Sequence, residues 1–204
     1  MLRRSQKSLL AKTKTTDFGE AKIRRFRLCE KRPLGATTRS RPMFIFLWRV
    51  YVMICVMPTT IHNLDELKKF ATDFVKKLEV AEKTATVVAL SGDLGAGKTA
   101  FVQAVAEVFK IAEFITSPTF VIQKKYKIQD SPSGFETLFH LDAYRLEGGE
   151  ELLALGWRET LANPRNLIFV EWAEKVAEIL PPNAIKLYFK FIDEQTREIV
   201  WELK

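Results

Sequence analysis

Apolar residues recur along this chain at two different periods, and each period predicts a kind of element. Leu64, Leu67, Phe70, Phe74 and Leu78 follow one another in steps of three and four, so residues 64–79 read as an amphipathic helix. Asn63 ahead of it, with Glu66 three positions on, has the form of an N-cap and its reciprocal partner. The short apolar run Thr84-Ala85-Thr86-Val87-Val88-Ala89-Leu90 reads as a buried strand. Residues 100–109 contain no Gly or Pro and place apolar side chains at helical spacing. Residues 120–128 and 135–142 read as two strands, and the turn-rich Gln129-Asp130-Ser131-Pro132-Ser133-Gly134 between them makes an antiparallel hairpin. Residues 150–155 and 159–161 suggest short helices. Residues 166–170 read as a buried strand ending at Glu171, and residues 173–180 as a helix stopped by Pro181-Pro182. Residues 184–192 and 197–203 form a last hairpin. No internal repeat is present.

Between the first buried strand and its helix lies Gly92-Asp93-Leu94-Gly95-Ala96-Gly97-Lys98-Thr99, which matches G-x-x-x-x-G-K-[ST] at every fixed position. Strand, glycine loop, helix is the context that gives this pattern a mechanism. Glycines let the backbone turn with positive φ and bring N–H groups close to phosphate oxygens. Those donors stand at a helix N-terminus, where the helix dipole also favours an anion. Lys98 reaches the terminal phosphates as a point charge, and the Thr99 hydroxyl ligates Mg²⁺. The expected fold is therefore α/β: a P-loop NTPase-like three-layer sandwich with a mixed sheet and a C-terminal antiparallel hairpin.

Such a site also calls for an acid at a neighbouring strand end, to hold Mg²⁺ or to orient water. Asp142 and Glu171 both fit, and the residues alone leave open which serves which purpose. Thr116-Ser117-Pro118-Thr119 falls after the glycine-loop helix, where switch proteins carry a threonine that senses the γ-phosphate; an ordinary proline turn is the alternative. Lys124-Lys125-Tyr126-Lys127 reads as a solvated strand edge rather than an RNA contact. His62 and His140 lack ligand spacing, so no zinc is expected. There is no D-x-x-G after the loop and no N-K-x-D, which disfavours a GTPase and makes adenine the default base.

The 204 residues carry a formal net charge of +7, which on its face suggests nucleic acid or membrane binding. That charge is unevenly spread. Residues 1–56 hold 14 of the 32 Lys+Arg and three acids (Asp17, Glu20, Glu30), so the remainder has 18 basic residues against 22 acidic ones. Two kinds of segment are joined here. Residues 1–56 read as a basic, disordered extension with a short apolar run at 43–57, and residues 58–204 as a single ATPase domain. The run is interrupted by Arg49 and is shorter than the ~20 residues needed to cross a bilayer. A transit segment, a weak anchor and an upstream-start artefact all fit it; Met57 as the true start is preferred, and no stable membrane association is expected. Both cysteines, Cys29 and Cys55, lie in this extension, which suits a cytosolic domain without disulfides or thiolate metal sites.

Four blocks taken together carry a resemblance: residues 92–99, Ser117-Pro118-Thr119-Phe120, His140-Leu141-Asp142-Ala143-Tyr144-Arg145-Leu146 and Val170-Glu171-Trp172. In this order and spacing the chain resembles the TsaE (YjeE) family of small bacterial ATPases over residues 58–204. The resemblance implies a cytoplasmic ATPase that works with TsaB- and TsaD-like proteins in making N6-threonylcarbamoyladenosine beside the tRNA anticodon, reaching tRNA through that complex. It implies ATP and Mg²⁺ as cofactors, with Lys98, Asp142 and Glu171 as catalytic positions and Thr99 and Glu171 at the metal. It places Gly92, Asp93, Leu94, Gly95, Ala96, Gly97, Lys98, Thr99, Thr119, Trp172 and, more weakly, Arg197 and the helix start at Asp65 and Glu66 around the nucleotide. Ala173 departs from the family, whose members often have Pro there. Two rival readings stand beside it: a P-loop kinase acting on a small acceptor, and a nucleotide-binding adaptor without catalysis.

Overall fold

A computed structural model describes residues 56–202 apart from Asp130; the extension read from residues 1–56 falls outside them up to residue 55. Seven strands form one sheet in the order β1-β7-β6-β2-β5-β4-β3. They are β1 Val56–Ile61, β2 Thr86–Gly92, β3 Gln123–Lys127, β4 Thr137–Asp142, β5 Asn166–Glu171, β6 Ile185–Phe191 and β7 Arg197–Glu202. The centre, β6-β2-β5-β4, is parallel, while β1, β7 and β3 are attached antiparallel at the two sides. The sheet is therefore mixed and the fold α/β.

The parallel centre explains the unbroken apolar runs of β2 and β5, because both faces of these strands are covered. Val88 and Leu90 of β2 and Leu167 and Phe169 of β5 enter one core with α1 (Leu64–Val75) and α2 (Lys98–Val108). Their neighbours Val87, Ala89, Ile168 and Val170 enter a second core with Leu152 of α3 (Glu150–Ala154) and Trp157 of α4 (Trp157–Ala162). Phe74 sits at the heart of the first core, with ring centres 5.3 Å from Phe101 and 4.9 Å from Trp201. α1 begins as its capping residues predict: Asn63 Oδ1 accepts from the Glu66 N–H at 2.9 Å, and Glu66 Oε2 accepts from the His62 N–H at 2.8 Å.

Four stretches differ from the sequence reading. The helix read over residues 64–79 ends at Val75, after which the N–H groups of Lys77 and Leu78 donate to Phe74 O and Val75 O in tight turns. Phe120, Val121 and Ile122 are not strand: the N–H groups of Val121 and Ile122 both donate to Pro118 O, at 2.9 and 2.7 Å, and Ile122 adopts φ 63°. Their apolar, β-branched character matched a strand, but a tight turn won, leaving Phe120 84% exposed. Residues 173–179 form 3₁₀ turns rather than a regular helix, and Val176, at φ −127°, breaks the segment into two. β1 had no counterpart in the sequence reading; it is an edge strand containing Pro58, and its pairing with β7 is what defines it. Among the described residues no helix is long and apolar enough to cross a membrane.

Candidate functional site

The strand register puts three chain ends side by side. Leu90 of β2 pairs with Glu171 of β5, and Glu171 pairs with Asp142 of β4. The carboxyl ends of parallel strands are where open α/β sheets bind ligands, and all three ends point there together.

Gly92 closes β2 rather than opening the loop. It adopts φ 127°, and a Cβ there would stand 1.9 Å from Phe189 O on β6. Only glycine lets these strands approach so closely. Gly95 and Gly97 differ: both have positive φ, yet a Cβ on either would meet nothing within 4 Å. Open space therefore lies in front of the loop backbone. No side chain caps the N-terminus of α2, so its first N–H groups face that space as an anion cradle.

Lys98 and Thr99 open α2. Lys98 folds back, donating from Nζ to Gly92 O at 2.7 Å and Asp93 O at 2.8 Å, and its side chain is buried. Burial pushes its ammonium below the ordinary lysine value of 10.5, while the carboxylates of Glu171, Glu174, Asp93 and Asp142 oppose that shift. Thr99 Oγ1 donates toward Glu171, 2.8 Å from Oε1 and 3.1 Å from Oε2. Asp142 is occupied differently. Its Oδ1 accepts the Tyr144 N–H at 2.9 Å; its Oδ2 accepts from Ser117 Oγ at 3.0 Å and from Thr119 Oγ1 in a short contact.

A cleft of about 460 Å³ unites these groups. It is lined by residues 94–100, Ser117, Thr119, Asp142, Tyr144, Glu171 and Trp172, with Lys98 its one cation among the described residues. Of the residues expected at the site, Gly92 and Asp93 shape the loop from behind. Arg197 also stays outside the lining. Its Nε reaches Gly95 O at 3.3 Å and its Nη1 donates to Thr196 O at 2.9 Å, so it braces the loop from β7. Asp65 and Glu66 are spent on α1, and neither lines the cleft.

Three residues were missed in the sequence reading. Ser117 shares Asp142 with Thr119. Tyr144 stacks on Trp172 with ring centres 5.1 Å apart. His140, fully buried, places Nε2 2.7 Å from Glu171 Oε1. The signal for His140 was present: it lies two residues before Asp142 on a strand, hence on the same sheet face.

The donors here suit a divalent cation of the Mg²⁺ kind: the hydroxyl of Thr99 and the carboxylate of Glu171, all oxygen. The uncapped helix end and open space before Gly95 and Gly97 suit a phosphate chain.

The chain matches the family model "Threonylcarbamoyl adenosine biosynthesis protein TsaE" over residues 61–199. It is similar to the tRNA threonylcarbamoyladenosine biosynthesis protein TsaE of Rickettsia felis, 38% identical over 138 residues, covering 67% of this chain and 74% of that one. It is also similar to the protein of that name from Bacillus subtilis, 36% identical over 131 residues, covering 64% of this chain and 78% of the relative. The crystal structure of YdiB from Bacillus subtilis superposes with a TM-score of 0.54 at 28% identity, covering 74% of this chain and 87% of YdiB.

Proposed function

The chain belongs to the TsaE family of threonylcarbamoyladenosine biosynthesis proteins, and from that premise we propose that it is the ATP-hydrolysing subunit of the machinery that makes N6-threonylcarbamoyladenosine in tRNA. The observation that carries the reading is the contact of Thr99 Oγ1 with the Glu171 carboxylate. A hydroxyl at the foot of a glycine loop, facing an acid from the adjacent strand end, is the pair of oxygen ligands that phosphoryl transfer requires.

Each side chain has a part. Lys98 leaves the carbonyls of Gly92 and Asp93 to meet the terminal phosphates, exchanging two neutral acceptors for charged ones. Thr99 and Glu171 would hold Mg²⁺. A Mg²⁺ ion held there would supply neutralisation of the charge that builds on the phosphates as the bond to the γ-phosphate lengthens. Asp142 keeps Thr119 and Ser117 beside the cleft, where Thr119 senses the γ-phosphate. On this reading Glu171 serves the metal side and Asp142 the switch side, a division that the contacts of Thr99 with Glu171 and of Ser117 and Thr119 with Asp142 support. Hydrolysis then drives TsaB- and TsaD-like partners through their cycle, and tRNA is reached through them. The acidic balance after residue 56 favours that indirect route, since direct phosphate binding needs clustered positive charge.

Steady-state ATP hydrolysis by the full chain with Mg²⁺, alone and with TsaB and TsaD homologues, tests the proposal. The expected result is slow hydrolysis that rises in the presence of the partners, with Lys98→Ala losing ATP binding and Glu171→Ala keeping binding but losing turnover. No hydrolysis in either condition, or equal loss of binding in both variants, would overturn it.

A further inference from the structure

His140 is a fully buried polar side chain for which the mechanism above has no use. It sits on β4 opposite Phe169 of β5, and Glu171 lies two residues beyond Phe169 on the same face. This diagonal brings His140 Nε2 within 2.7 Å of Glu171 Oε1. Its other nitrogen, Nδ1, has no hydrogen-bond partner among the described residues. A carboxylate can only accept, so the proton between the two groups belongs to Nε2.

The contact divides the two oxygens of Glu171 unequally. Oε1 has the 2.7 Å approach of His140 and the 2.8 Å approach of Thr99; Oε2 has only the longer 3.1 Å approach of Thr99. Glu171 itself is 3% exposed, so its carboxylate has little freedom to find other donors. We propose that His140 is a positioning residue: by donating from Nε2 to Oε1 it locks the Glu171 carboxylate so that Oε2, the oxygen with the longer approach of Thr99, is the one presented to the metal side of the cleft. Histidine suits the task because its ring fills the space between the strands while its far nitrogen reaches the acid. Without it, Oε1 loses its 2.7 Å contact and the carboxylate is held from that side by Thr99 alone. The inference rests on the reading of Glu171 as the metal-side acid.

The test compares His140→Leu, which removes the donor, with His140→Gln, whose side-chain amide reaches the place of Nε2. Partners that act through a ligand of a metal site are worth about 10–100-fold in metal affinity or activity. In the full chain, His140→Leu is expected to raise the Mg²⁺ concentration for half-maximal ATP binding about tenfold and to lower kcat by about as much. ATP affinity without Mg²⁺ is expected to stay within about twofold, a split that a general loss of packing would not give. His140→Gln is expected to restore both values to within about threefold of the unaltered chain. If His140→Leu does not fold, His140→Asn replaces it, since its shorter amide reaches the place of Nδ1 and leaves Oε1 unserved. An unchanged Mg²⁺ dependence in the leucine or asparagine variant, or a glutamine variant as impaired as either, overturns the proposal. Glu171→Gln separates the two levels: if it too leaves Mg²⁺ dependence and turnover intact, the metal-side reading of Glu171 fails and this inference with it. If Glu171→Gln is impaired and His140→Leu is not, only the inference fails.

Discussion

The ammonium of Lys98 lies 3.9 Å from the centre of the Trp172 ring, while the same nitrogen donates to two carbonyls of its own loop. The lysine that would meet a triphosphate is thus folded onto the loop and covered by an aromatic face that satisfies part of its charge. Trp172 reaches this position by turning left-handed directly after Glu171, a conformation that costs a bulky residue about 1–3 kcal/mol. Strain of that kind concentrates at functional sites, and here it places the ring over the cleft.

Stowing a charge in this way makes stability depend on pH in a definite direction. Burial lowers the Lys98 value in the folded chain below the 10.5 of the free group. Between those two values the unfolded chain binds more protons than the folded one, so stability rises with pH. The contribution is fully present above 10.5 and is lost as pH falls through the lowered folded value. Urea unfolding of the full chain and of Lys98→Met, measured from pH 8 upward in step with the ordinary value of 10.5, is expected to show the unaltered chain gaining relative to the variant as alkalinity increases. A constant difference would mean that Lys98 is not desolvated.

Gly92 and Gly97 share the loop motif but carry different burdens. Alanine at Gly92 drives a methyl into the β6 backbone at Phe189 O, so the β2–β6 pairing must open. That belongs with the severe backbone substitutions, at about 4 kcal/mol or more. Alanine at Gly97 meets no atom and suffers only the left-handed penalty of about 1–2 kcal/mol. Denaturant midpoints should therefore fall much further for Gly92→Ala than for Gly97→Ala, whereas calorimetry should find ATP binding lost in the folded Gly97→Ala protein.

Asp142 uses both its oxygens to gather Tyr144, Ser117 and Thr119. An amide offers one acceptor oxygen in place of two, so Asp142→Asn is expected to release the turn at residues 117–121. Hydrogen exchange at the Val121 and Ile122 amides, which donate to Pro118 O, should quicken. Turnover should fall about tenfold or more while ATP affinity changes little. Thr119→Ala should shift both in the same direction by less, since Ser117 still holds Asp142. Unchanged exchange in Asp142→Asn would remove Asp142 from the control of this segment.

What could be read from the chain beforehand follows how local each feature is. The glycine loop, the Asn63 cap and the two buried strands depend on neighbours within a few residues, and all were legible. Phe120-Val121-Ile122 was misread because three apolar side chains announce a strand, while the turn that captured them depends on the carbonyl of Pro118 and on Asp142 N–H, which donates to Ile122 O at 2.9 Å. Residues 173–179 were misread as a regular helix because their spacing is helical, while the backbone breaks at Val176, where φ is −127°.

The sequence by itself determined that residues 92–99 form a glycine loop between a strand and a helix, and that two acids stand at strand ends, because spacing and turn chemistry act over short distances along one chain. Only the tertiary structure decided which acid meets which hydroxyl. The parallel register of β4 against β5 sets Asp142 beside Glu171 and His140 diagonally across from it, while the seating of α2 on the sheet hands Thr99 to Glu171. A one-residue slip of β4 in that register would turn Asp142 and His140 to the opposite face from Glu171. What fixes it is the two-sided burial of β5 between the cores, an energy to which residues along the whole domain contribute.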